Sequence, residues 1–264
     1  MMMRRFSGWA LVLVAVAATP LSAKHTQATV HPFEAAIVRA VNSPDRLASD
    51  KQRDADRHPA EILEFFGAKP GQHVLDLFSG GGYWDEIFAR LVGPKGSITA
   101  HNSIAELGFA KAALVTRDYA HRLPQVKLLM AENNQLTLKP HALDLIWYSQ
   151  SYHDIALDEP KDGWPKIDGD KLRAELFKAL KPGGVLAIID HVAVAGSDPI
   201  ISGQKLHRID PQVARRELEA AGFKLEATSG LLSNPNDDHT KIVFDPSIRG
   251  KTDQFVMLFR KPKA

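Results

Sequence analysis

Apolar residues gather in short blocks along this chain, and the spacing within the blocks changes from one to the next. Phe33, Ala36, Ile37, Ala40 and Val41 recur at helical spacing, which predicts a short amphipathic helix over residues 32–41. Residues 45–58 (DRLASDKQRDADRH) nearly lack large apolar side chains. They predict a helix on the surface or over a cleft, with a solvated charged face as the plainer reading. Residues 59–66 predict another helix, closed by Gly67. From there the chain alternates. Apolar runs at 73–78, 97–100, 126–130, 142–148, 185–190, 223–228 and 254–260 predict strands. Between them, residues 83–91, 104–121, 171–180 and 211–221 predict helices, the last opened by Pro211 and followed by Gly222. Strands that lack clean polar alternation and are separated by helices indicate a mostly parallel sheet covered on both faces. The expected fold is therefore α/β, doubly wound, with seven strands. Three stretches, 150–167, 191–210 and 232–252, exceed ordinary loop length, and long loops beside a compact sheet are usually functional.

The first block is of another kind. Arg4 and Arg5 precede an apolar run of about ten residues and a small-residue end at Leu21-Ser22-Ala23, the layout of a secretory signal peptide. The run is shorter than the roughly 18–20 residues needed to span a bilayer. The expected organisation is a signal over residues 1–23, a helical extension over 24–58 and the main domain over 59–264. The mature chain is expected in the periplasm or outside the cell, with an uncleaved inner-membrane anchor as the alternative.

Charge changes meaning with that division. The whole chain of 264 residues carries 33 Lys+Arg against 31 Asp+Glu, a formal net charge of +2. Residues 1–23 hold two Arg and no acid, so the remainder is neutral, and a broad nucleic-acid footprint loses its support. The absence of Cys excludes disulfides, thiolate metal sites and a cysteine nucleophile. The oligomeric state is not legible.

The strongest local signal is HVLDLFSGGGY over residues 73–83. A strand ends in a glycine cluster and a helix begins at once, so the backbone can approach a ligand at a helix N-terminus. This run resembles the first motif of class I S-adenosylmethionine-dependent methyltransferases. KPGGVLAIID over 181–190 is similar to the entry to that family's fifth strand, LDLIWY over 143–148 to its fourth, and Gly222-Phe223 to the entry to its sixth. DLFSGGGYW together with SYHD and FDPSIRGKTD (244–253) further resembles bacterial methyltransferases that carry export signals. The resemblance implies a Rossmann-like class I methyltransferase fold and S-adenosylmethionine as cofactor. Its acceptor would be a small molecule or a cell-envelope component. By position, Asp76, Ser79, Gly80, Gly81 and Gly82 would hold the cofactor. Asn102 would stand where the family usually has an acid for the ribose, Glu132 or Asn133 would meet the adenine, and Gln150 would join them from the end of the fourth strand. Phe78 replaces the first glycine of the usual DxGxGxG pattern. The departure at Asn102 leaves a second reading open, a non-catalytic binding protein on the same scaffold.

Tyr152, His153 and Asp154 follow the fourth strand and fall at the sheet edge where ligands bind. His153 is the expected general base near neutral pH, with Asp154 orienting it or binding substrate and Tyr152 beside them. Asp190-His191 and His207-Arg208 fall near the same edge. Three histidines and several carboxylates there raise the question of a metal. No close pattern such as HxxxH or HxH is present, and Asp210 before Pro211 reads as a helix N-cap, so no metal is expected. His207 and Arg208 are alternatively candidates for an anionic substrate group. Gly250-Lys251-Thr252 resembles the end of a phosphate loop, but Asp245 stands where the upstream glycine is required.

Overall fold

Successive residues of a strand point to opposite faces of its sheet, and the fourth strand, Leu143–Ser149, is apolar on both. Leu145 and Trp147 face one side, Ile146 and Tyr148 the other, and all four are fully buried. Such a strand needs cover on both faces. This computed structural model describes residues 32–263, and the export signal expected at residues 1–23 lies outside them. Among the described residues no helix is long and apolar enough to cross a membrane.

The strands are β1 (His73–Leu77), β2 (Ser97–Asn102), β3 (Val126–Met130), β4 (Leu143–Ser149), β5 (Leu180–His191), β6 (Lys224–Ser229) and β7 (Gln254–Arg260). They form one sheet in the order β3-β2-β1-β4-β5-β7-β6. All neighbours are parallel except β7, which runs antiparallel to both β5 and β6. The helices are α1 (Glu34–Val41), α2 (Ala48–Lys51), α3 (Asp54–Arg57), α4 (Pro59–Phe65), α5 (Tyr83–Val92), α6 (Ile104–Arg117), α7 (Tyr119–Arg122), α8 (Gly169–Ala179), α9 (Pro199–Leu206) and α10 (Pro211–Ala220).

One face of the sheet packs on α1, α4, α5 and α6, through Ile37, Leu63, Phe88 and Leu114 among others. The other packs on α8 and α10, through Leu172, Leu176, Ala214 and Leu218. Trp147 is the aromatic hub of the first core: its ring centroid lies 4.6 Å from that of Trp84 and 5.1 Å from those of Phe66 and Phe88.

Several expected boundaries shift, each for a visible reason. The helix expected over 104–121 ends at Arg117, because Asp118 takes a left-handed conformation (φ 45°) and breaks it from α7. The long loop expected over 191–210 contains α9, whose N-terminus is capped by Asp198 accepting from the Ile200 and Ile201 N–H groups, with Pro199 in the first turn. KPGG lies inside β5, at an irregularity of its pairing with β4. The charged stretch 45–58 forms two single-turn helices, α2 and α3.

Removing the aromatic hub should be felt globally. Trp147→Ala is expected to lower the unfolding free energy by about 3–5 kcal/mol, as for other large-to-small core changes. Urea unfolding monitored by far-UV circular dichroism reads this directly; a loss under about 1 kcal/mol would contradict the packing described.

Candidate active site

The sheet reverses direction of winding between β1 and β4, since β2 and β3 lie on one side of β1 and β4 and β5 on the other. The connections leave in opposite directions there, which opens a crevice at the carboxyl ends of the strands. A cavity of about 580 Å³ occupies it, bounded by the glycine turn after β1, the loop after β4, and Arg53 and Arg57 at the two ends of α3. It continues into a second lobe of about 570 Å³ lined by Arg53, Arg57, Arg249, His191 and Gln254.

The glycine turn is held from several directions. Phe78 adopts φ 54°, a conformation that favours glycine, and its ring is lodged against His101 and Tyr148. This is how a bulky residue occupies the place of the pattern's first glycine. Gly82 has φ 78°, and a Cβ there would overlap the Tyr119 hydroxyl. Arg117 donates from Nε to the Gly81 carbonyl and pairs through both terminal nitrogens with Asp50, at 2.7 and 3.1 Å. Tyr119 donates to Asp85 at 2.8 Å. Asp85 and Asp76 are both buried. Burial and then Asp85 push Asp76 well above the usual carboxylate range, and burial raises Asp85 to about 6.

The residues expected to bind the cofactor divide into two groups. Asp76, Ser79, Gly80, Gly81, Gly82 and Gln150 line the cavity. Gln150 accepts from Arg57 Nη2 at 2.7 Å and donates to Gln254 at 3.0 Å, so its amide tethers the cleft walls to each other. Asn102 is not on the cavity wall. It is fully buried, accepting from the Gly80 N–H at 2.8 Å and donating to Ser79 Oγ at 3.0 Å, and is thus part of the turn's own scaffold. Glu132 and Asn133 are not on the cavity wall; Glu132 accepts from the Ile104 N–H instead.

An acid on the same side that does line the cavity is Glu106. Ser103 and Glu106 form a capping box at the start of α6. Glu106 Oε2 accepts from the Ser103 N–H, and Oε1 is buried without a protein partner. Burial raises its pKa. The S-x-x-E pattern of residues 103–106 could have marked the cap in the sequence. Nothing there marked the free oxygen. At the same mouth the Phe109 and Trp164 rings lie nearly parallel, 17° apart in plane with centroids 6.5 Å apart.

On the opposite wall, His153 is buried with Nδ1 at 2.9 and 3.1 Å from the two Asp190 oxygens. Its Nε2 lies 3.1 Å from Asp154 Oδ1 and 3.3 Å from His207 Nδ1. Burial alone would lower the His153 pKa. Asp190 and then Asp154 reverse this and raise it to about 10. His153 therefore carries a positive charge at neutral pH and is not the neutral base that its position suggested. Burial lowers His207 as well, and it lowers His191 to about 3; the His191 Nδ1 lies 2.7 Å from Thr252 Oγ1.

Tyr152 is a clear correction: its hydroxyl points away from the cavity and donates to Glu217 at 2.9 Å. The Arg208 expectation is likewise overturned. Arg208 is fully buried and paired with Asp237 at 2.9 and 3.1 Å, pinning the 232–252 loop. Asp210 caps α10 as expected, accepting from the Gln212 N–H at 2.8 Å.

The charged stretch 45–58 is not merely solvated. Asp50 is buried under the glycine turn, and Arg46 and Asp54 pair at 2.8 Å. Arg57 lies over the Tyr83 ring, 4.5 Å from its centroid. Burial and then the neighbouring Arg53 lower Arg57 to about 10, so it remains charged at neutral pH. Among the described residues, Arg53, Arg57 and Arg249 form no ion pair with a carboxylate. The cleft thus presents unneutralised positive charge, which a bound anion would satisfy.

Comparison with known proteins places this geometry in context. Residues 33–142 match the family described as protein-L-isoaspartate(D-aspartate) O-methyltransferase. The ubiquinone/menaquinone biosynthesis C-methyltransferase UbiE of Vibrio vulnificus is 31% identical over 131 residues, 48% of this chain and 44% of that protein. Its counterpart in Vibrio campbellii is 30% identical over 196 residues, 73% of this chain and 63% of that protein. The chain thus spans less than two thirds of these relatives. Among solved structures, an S-adenosylmethionine-dependent methyltransferase from Aquifex aeolicus matches with a TM-score of 0.55 at 22% identity, covering 81% of this chain and 97% of that one. The [4+2]-cyclase SpnF matches with a TM-score of 0.55 at 20% identity, covering 81% and 84%. The chain has the seven-stranded, Rossmann-like fold of class I methyltransferases; a fold shared with a cyclase does not by itself fix the reaction.

The buried acid pair makes a pH prediction. Asp85 titrates higher in the folded chain than an unfolded Asp would, so its contribution to stability is present below about pH 4 and is lost as the pH rises through about 6. Asp85→Asn, which keeps an acceptor for Tyr119, is expected to gain stability relative to the unsubstituted chain between pH 4.5 and 7. Urea unfolding at the two pH values checks it; a difference that does not change with pH would contradict the assignment.

Proposed function

We propose that the protein is an S-adenosylmethionine-dependent methyltransferase acting on a small-molecule or cell-envelope acceptor that carries negative charge. The observation that carries this reading is the crevice at the sheet's switch point, where the glycine turn, Arg57 without a carboxylate partner among the described residues, and Glu106 line one cavity. The family match over residues 33–142 and the methyltransferase names of the relatives support it.

The residues present fit the cofactor. The backbone of Gly80–Gly82 lines the cavity just before α5 begins, where the absence of side chains lets a ligand approach closely. Arg57 suits the carboxylate of a methionine moiety, and Asp76 its ammonium, a cation that would favour the ionised carboxyl. Glu106 offers a carboxylate to ribose hydroxyls in place of Asn102. Phe109 and Trp164 offer aromatic faces to a base. Bound in this way, the cofactor supplies an activated methyl group on a sulfonium. The chain supplies position and exclusion of water. His153 and Asp154 hold the acceptor from the opposite wall, and Arg53 and Arg249 attract its negative group in the second lobe. The matched family and relatives carry different acceptors in their names, so the acceptor is argued from this chain's own charges.

The layout of residues 1–23 supports export to the periplasm or beyond, with the mature chain beginning at Lys24. Mass determination of the chain recovered from a periplasmic fraction tests this; a full-length mass would favour an anchor.

Binding and turnover should separate by residue. Calorimetric titration with S-adenosylhomocysteine is expected to show one site. Asp76→Ala should abolish binding, and Glu106→Gln should weaken it about tenfold, roughly 1.4 kcal/mol. His153→Ala and Asp154→Ala should keep binding within a few-fold but lower methyl transfer from labelled donor to an envelope extract by a hundredfold or more. No binding by the unsubstituted chain would sink the proposal. Binding with no transfer to any extract would favour the non-catalytic reading.

A further inference from the structure

Three side chains on the cleft wall meet in an arrangement that cofactor binding does not require. His153, Asp154 and His207 each offer a ligand atom, and these atoms all lie within 4.8 Å of one another. Two of these separations are 3.1 and 3.3 Å. Ligand atoms about 2.0–2.1 Å from a tetrahedral zinc ion stand about 3.3–3.4 Å apart, so these are the edge lengths of a coordination polyhedron. We propose that His153, Asp154 and His207 bind one divalent first-row transition-metal ion at the wall of the cleft.

The surroundings are built for this. The Asp190 oxygens can only accept when ionised, so His153 Nδ1 carries the hydrogen that faces them, and Nε2, whose proton a bound metal ion would displace, is the nitrogen turned to the cluster. Asp190 is itself fixed by the backbone N–H groups of His153 and His191, both at 2.8 Å. A carboxylate that holds a histidine by its far nitrogen is the usual outer support of a metal-bound imidazole. His207 is delivered from elsewhere, the C-terminal cap of α9, where it adopts φ 54° and packs 4.8 Å from the Phe244 ring. Its Nδ1 has no protein partner but His153 among the described residues.

The donor set also chooses the class of ion. Two imidazoles and one carboxylate suit zinc, iron or cobalt rather than magnesium or calcium, which prefer all-oxygen sets. All three residues line the cavity, so the remaining coordination positions face it and are open to water or an acceptor oxygen. The sequence raised a metal at this edge but gave no reason to expect one, because the two histidines are 54 residues apart and no short motif joins them.

The site can be tested without cofactor or acceptor, so its failure would be distinct from failure of the methyltransferase reading. The untagged chain is stripped with a chelator and titrated with Co²⁺, whose visible absorption reports low-symmetry nitrogen and oxygen coordination. One Co²⁺ per chain is expected, displaced by Zn²⁺ and not by a hundredfold excess of Mg²⁺. His207→Ala, at a half-buried position, should lower affinity at least a hundredfold with an unchanged thermal midpoint, and the near-isosteric Asp154→Asn should do likewise. Asp190→Asn should lower it about 10–100-fold. Absence of stoichiometric binding, equal affinity in either ligand variant, or displacement by Mg²⁺ would overturn the proposal.

Discussion

The buried ion pair between Asp50 and Arg117 is the interaction on which the cleft depends. Both side chains are almost fully buried, and the guanidinium makes two bonds to the carboxylate while its Nε holds the Gly81 carbonyl. Three segments distant in sequence meet at this point: α2, the end of α6 and the glycine turn. Burial of a charge is tolerated only with a partner, and removing one member leaves the other uncompensated. The pair therefore fixes where the charged stretch 45–58 sits and brings Arg53 and Arg57 to the cavity.

Around that pin, charges are distributed unequally. Beneath the turn, Asp76 and Asp85 both titrate above the usual carboxylate range because neither is solvated. Across the cavity, His153 holds a positive charge because two carboxylates outweigh its burial, while His191 nearby stays neutral. Over the cavity, Arg53, Arg57 and Arg249 lack acidic partners among the described residues. Neighbouring titratable groups are thus driven to different protonation states by their environments, a pattern common at functional sites. It equips one wall for a cationic and anionic ligand end, and the other for an acceptor or a metal ion.

Much of the fold was legible because its causes are local. The apolar blocks that become β1, β4, β5 and β7 are continuous, as double-sided burial demands, and the glycines after β1 mark a turn few other residues could make. Helix ends were less legible where a non-glycine residue takes positive φ, as Asp118 does, and α9 was hidden in a stretch of weak periodicity despite its Asp198-Pro199 start. The site was legible only in part. Charge composition does not say whether a charge is solvated, so Asp50 and Arg57 read like their exposed neighbours. Side-chain direction is also invisible in the sequence: Tyr152 turns to Glu217 while the adjacent His153 faces the cavity, and Asn102 serves the turn while Glu106, four residues on, supplies the acid.

The central claim is that the crevice framed by the glycine turn and the arginine-bearing stretch holds the cofactor. A crystal structure of the chain grown with saturating S-adenosylhomocysteine tests it most directly. The account predicts density along Gly80–Gly82, with the amino-acid carboxylate on Arg57, the ribose on Glu106 and the sulfur turned toward His153 and Asp154. An empty crevice at saturation, or a product bound elsewhere with Arg57 and Glu106 unengaged, would contradict it.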